Sequence, residues 1–145
     1  MLIHILPFSN PDALNHKERT IDNKWSLEGI GRYLSNDQIK ILSSTKKSRF
    51  NFWGVSDNTK NIKNWELMDV KDKILFYKFG RFVLQAEFET KFRNEKLAEF
   101  FWGDRFNARG AHPNEDGSWP NMFSIKNIKP IKISRSNFAP YGDLI

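Results

Sequence analysis

Ser56, Asp57 and Asn61 follow the aromatic run Phe50-Asn51-Phe52-Trp53-Gly54-Val55 and are short side chains suited to reading a ligand by hydrogen bonds. Indoles surround them in sequence: Trp53 just before, Trp65 just after, and Trp102 and Trp119 near junctions between elements and loops. Small polar groups among aromatic faces suit a flat heterocycle, and an extruded nucleobase presents two π faces and one hydrogen-bonding edge. Stacking contributes about 1–3 kcal/mol per base but cannot identify it. Identification falls to the edge. An Asp57 carboxylate can accept from the exocyclic N–H of adenine or cytosine, while Asn61 can donate to or accept from the neighbouring ring nitrogen. A methyl group on the base adds about 0.8 kcal/mol per buried carbon against an indole. The plainer reading of the tryptophans is core packing, which suits Trp25 beside a helix start and Trp53 within a strand.

Charge points toward an anionic partner. The 145 residues carry 23 Lys+Arg against 17 Asp+Glu, a net charge of +6 with a pI near 9.6. A basic balance of this kind fits nucleic acid, or simply a solvated surface. The cations expected to hold phosphate are Lys60 and Lys63 beside the polar residues, Arg105 and Arg109 on a long loop, and the run Lys46, Lys47 and Arg49. Phosphate contacts make affinity fall steeply with salt.

Several chemistries lack their residues. There is no glycine-rich loop ending in Gly-Lys-Ser/Thr to cradle a nucleotide triphosphate, and no Gly-x-Ser-x-Gly elbow. His4, His16 and His112 have no metal-ligand spacing, and there is no cysteine. Glu89-Thr90-Lys91 resembles the carboxylate-x-lysine half of a metal-dependent nuclease site, but the one Pro-Asp pair, Pro11-Asp12, lies far upstream. No catalytic residue, metal or cofactor is therefore expected. Met1–Leu6 is too short for a signal peptide and no apolar run approaches a membrane span, so a soluble, cytoplasmic protein is expected.

The elements that must position these groups follow from pattern. Residues 1–8 read as a strand, and Ser9 to Lys24 as a polar segment with turns. Ser26 caps one short helix, and Ser35 with Gln38 forms a capping box for a second. Strands are expected from Phe50 onward, with an apolar run from Ile74 to Phe79 and a turn at Gly80-Arg81. The next strand alternates Phe82, Leu84, Ala86 and Phe88 against Gln85, Glu87 and Glu89. Asn94 caps a helix bearing Leu97, Phe100 and Phe101, a loop runs from Gly103 to Ser118, and Phe123 to Ile133 completes the β portion.

Taken in order, Phe50–Asn58 followed by Trp65, "DVKDKILFY" (69–77), the alternating strand to Phe92, "NEKLAEFFWG" (94–103) and "SWPNMFSIKNI" (118–128) resemble the EVE/YTH branch of the PUA-like superfold. The resemblance spans residues 50–133 and implies an α+β fold, a small PUA-like β-barrel with flanking helices in which a methylated base is caged. It implies base contacts from Ser56, Asp57 and Asn61 and aromatic walls from Trp65, Trp102 and Trp119, with Trp53 in the barrel wall. The upstream "NHKERTIDNKWSLEGIGRYLS" (15–35) is similar to the N-terminal targeting domains of McrB-type modification-dependent restriction systems. Such domains read modified DNA, and a GTPase motor and a nuclease subunit do the rest. One domain over 1–145 is expected, with an N-terminal strand and helical extension (1–49), the barrel core (50–133) and a tail (134–145). The function implied is non-enzymatic recognition of methylated double-stranded DNA by base flipping. Alternatives are a YTH-like binder of methylated RNA and a protein-interaction scaffold without a base pocket.

Overall fold

Strict alternation makes the stretch after Gly80 the clearest strand in the sequence, and in the computed structural model it is the long strand β5 (Arg81–Arg93). It pairs antiparallel with β4 (Lys73–Lys78) on one side and β6 (Asn121–Ser134) on the other. β6 pairs antiparallel with β3 (Arg49–Val55), whose first two residues carry the short β2 (Trp25–Ser26). β1 (Ile3–Pro7) joins β4 in parallel, giving the six-stranded order β1-β4-β5-β6-β3-β2. The structure describes residues 1–8, 11–103 and 119–138, and the side chains of all of these except 11, 12, 137 and 138.

The two halves of β5 serve different neighbours. β4 takes Arg81–Glu87, whereas β3 reaches the part of β6 that lies opposite Phe88–Arg93. The β5–β6 register shifts at three places, and such bulges increase local twist. The sheet curls until β1 and β4 face β3 across the core. Phe8, Phe76 and Trp53 fill that gap, with centroids 5.4 Å apart for Phe8–Trp53, 5.0 Å for Phe8–Phe76 and 5.4 Å for Trp53–Phe76. The α+β class holds, but the expected closed barrel is corrected. Among the described residues no ladder joins β1 to β3 or β2, so the sheet is open and its two margins meet only through side chains.

The helices cover this sheet. α1 (Pro11–Thr20) lies where turns were expected. Its buried positions include Ala13, His16 and Thr20, so polar residues fill a stripe that hydropathy reads as surface. α2 (Leu27–Ile30) is capped by Ser26, and α3 (Asn36–Ser43) carries the full Ser35/Gln38 capping box. α4 (Thr59–Leu67) is a second departure, a helix started by Asn58 in a stretch between two expected strands where no helix was expected. Asn94 caps α5 (Glu95–Ala98), which continues as a π turn over Glu99–Gly103. Among the described residues no helix is long and apolar enough to cross a membrane.

Candidate functional site

β3 ends at Val55, and α4 begins at Thr59 after a short turn, so Ser56 and Asn61 are brought face to face. Asn61 Nδ2 donates to Ser56 Oγ at 3.0 Å. Beside them opens a pocket of about 160 Å³ lined by Leu6 and Pro7 of β1, Trp53, Gly54 and Val55 of β3, Ser56, Asn61 and Trp119. It occupies the unlaced margin between β1 and β3. Gly54 is required by close approach, because a Cβ there would stand 2.5 Å from the Trp119 carbonyl oxygen and 3.2 Å from Trp102 Cη2. Trp53 and Trp119 meet at 5.2 Å and 65°, so they form a corner and not a pair of parallel walls.

The pocket gathers Trp53, Ser56, Asn61 and Trp119 and leaves the other proposed base contacts elsewhere. Asp57 does not line it. Both Asp57 oxygens accept from the Arg93 guanidinium, and Asn121 Nδ2 donates to Oδ1 at 2.9 Å. The hydrogen bond from Arg93 holds the Asp57 carboxyl below its ordinary range, aided by Asn121 and the Arg93 charge, against a smaller opposing effect of burial. Asp57 is thus part of an ion cluster with Arg93 and Glu95 instead of a free acceptor. Trp102 is fully buried, stacked on His16 at 4.8 Å and 17°. Its Nε1 has no partner among the described residues. Trp65 is half-buried on α4, donates from Nε1 to the Met122 carbonyl at 3.0 Å, and has Lys91 Nζ 5.6 Å above its ring.

The nuclease-like triplet is also accounted for. Lys91 Nζ donates to the carbonyls of Trp65, Glu66 and Met68 at 3.1, 2.6 and 2.9 Å, closing the C-terminus of α4. Glu89 is buried, pairs with Lys47 at 3.0 Å and accepts from Ser124 Oγ at 3.0 Å. Among the described residues no group of three or more His, Cys, Asp or Glu side chains is placed to hold a metal.

Of the expected phosphate contacts, Lys60 and Lys63 are exposed on α4 beside Asn61. Lys46, Lys47 and Arg49 lie at the opposite end of β3, about 20 Å of strand from Ser56. Arg105 and Arg109 lie outside the described residues. Sequence reasoning missed Leu6 and Pro7, which reach the pocket only through the curl of the sheet, and Arg93 and Asn121, which occupy Asp57. Pro7 was the available signal, since a proline ending a strand marks an edge. No family model, curated protein or solved structure matches the chain.

Proposed function

We propose that the protein is a non-enzymatic nucleic-acid-binding specificity domain that takes an extruded, modified base into the pocket between β1 and β3. The observation that carries this reading is the meeting of Ser56 and Asn61 with Trp53 and Trp119 at one opening. Asn61 Nδ2 gives one of its two N–H groups to Ser56 Oγ, which turns Asn61 Oδ1 to accept and leaves the Ser56 hydroxyl to donate. An acceptor beside a donor complements an exocyclic N–H next to a ring nitrogen, the edge of adenine or cytosine. An adenine carrying one methyl on its exocyclic nitrogen keeps the N–H that Asn61 needs. The indole corner, with Leu6 and Pro7 opposite, supplies the apolar surface for the ring and its methyl group.

The net charge of +6 supports a polyanionic partner, as does the EVE/YTH-like pattern of residues 50–133 in the sequence. On this reading the domain serves a McrB-type system, in which a GTPase motor and a nuclease are separate domains or subunits. The test is a binding panel of duplexes identical but for one position, carrying no modification, methyladenine, methylcytosine or hydroxymethylcytosine, with a methylated RNA alongside. One modified duplex is expected to bind about tenfold more tightly than the plain one, and Asn61→Leu, which removes the hydrogen-bonding edge at nearly the same shape, to abolish that preference. Equal affinity across the panel with Asn61→Leu unchanged sinks the reading. Preference for the RNA replaces DNA with RNA as its target.

A further inference from the structure

The turn between β4 and β5 consists of Phe79 and Gly80, with φ of 49° and 81°. Lys78 and Arg81 face each other across it. Positive φ at both central positions defines the tight hairpin turn that Asn, Asp or Gly fill most easily, and a bulky aromatic there is an outlier. Nothing in the fold repays the strain by burying the ring, since Phe79 is 76% exposed. The turn itself is firmly held: Arg135 N–H donates to the Gly80 carbonyl at 3.1 Å, the Arg135 guanidinium lies 5.6 Å over the Tyr77 ring, and Tyr77 packs edge-on against Phe82 at 5.8 Å. A rigid support thus holds an aromatic ring out into solvent, and an outlier of this kind calls for a functional reason.

The surroundings say what meets it. Lys78, Arg81, Lys132 and Arg135 stand at this end of the sheet, Lys129 and then Lys126 follow farther along β6 opposite Gln85 and Glu87, and no Asp or Glu occurs in residues 73–86 or 128–138. A cationic platform around one projecting aromatic ring complements a phosphate backbone with a base stack inside it. The turn also neighbours the pocket. Pro7 at the pocket's rim pairs with Tyr77, and Phe79 lies two residues farther on, about 7 Å of strand.

We propose that Phe79 is a wedge that enters the base stack of a nucleic-acid duplex while the surrounding lysines and arginines hold the phosphates, and that it stabilises the gap left when a base is extruded. The inference rests on the base-pocket reading for the destination of that base. The wedge itself stands on the turn and its charge.

Two variants of the full chain separate them, Phe79→Asn, which suits the turn, and Asn61→Leu, which strips the pocket of its hydrogen-bonding edge. Each is measured by fluorescence anisotropy on a short duplex carrying the best-bound modification of the panel above, with that base either paired or mispaired. A mispaired base is already partly unstacked, so less of its extrusion remains to be stabilised. Phe79→Asn is expected to bind the paired duplex about tenfold more weakly, the size of one lost stacking contact. Against the mispaired duplex it approaches wild type, and its thermal midpoint is no lower. Asn61→Leu loses affinity for both. Unchanged Asn61→Leu binding combined with the selective Phe79→Asn loss removes the pocket and keeps the wedge. Phe79→Asn binding both duplexes like wild type overturns the wedge, as does a wild-type protein that binds neither. A Phe79→Asn loss seen on phosphatidylserine vesicles but not on DNA also overturns it, and makes the turn a membrane contact.

Discussion

Asp57 stands next to the pocket in sequence yet is committed to Arg93 and Asn121. Its carboxyl is held below the ordinary value of 3.8, so the folded protein binds that proton less readily than the unfolded chain does. The contribution to stability is therefore complete above about pH 4 and fades as pH falls through the lowered folded value. Both side chains are partly exposed, 42% for Arg93 and 49% for Asp57, so solvent screening limits the pair to under about 1 kcal/mol. An NMR titration of Arg93→Ala should find Asp57 shifted upward toward its ordinary range. The stability difference between variant and wild type should shrink below about pH 4. The Asp72 carboxyl is opposed by burial, but hydrogen bonds from His4 and from the N–H groups of Leu2 and Asp69 outweigh it and lower its pKa. That cluster ties the start of β1 to the loop before β4.

Helix α4 presents Asn61 to the pocket and has no fully buried residue of its own, so its ends matter more than its faces. Asn58 closes the first turn, and Lys91 closes the last with three charge-assisted hydrogen bonds. Lys91→Met should cost about 1–2 kcal/mol in urea unfolding, the range for a cation at a partly buried helix C-terminus. It should also weaken the preference for modified duplex, because Asn61 loses its fixed position. The physics that holds α4 also explains which elements could be read from sequence. The Ser35/Gln38 box and the alternation of β5 are local signals, complete within a few residues. α1 hides behind His16 and Thr20, polar side chains at buried positions, and α4 lacks an apolar stripe to betray it. Ser56 and Asn61 were legible because they adjoin an aromatic strand. The roles of Leu6, Pro7 and Arg93 depend on contacts between residues far apart in sequence, which no short pattern encodes.

For the molecule as a whole, charge and pocket are arranged around the same curled sheet. The Lys126–Lys129–Lys132 series runs along the exposed half of β6, whereas Asn121–Ile125 of the same strand lies in the core. Duplex affinity should fall with salt, and Lys132→Ala should reduce the slope of log affinity against log salt by about 1 while weakening modified and plain duplexes alike. Titrating both duplexes at several salt concentrations checks this, and an unchanged slope removes β6 from the interface. The last consequence concerns the margins of the sheet, which touch through Phe8, Phe76 and Trp53 without a shared ladder. The aperture between them is gauged by ring size, so exchanging one ring for a smaller or larger neighbour resets its width and leaves every strand pairing intact. Phe8 and Phe76 do not line the pocket, so on the base-pocket reading single substitutions at these two positions should shift selectivity without touching the base.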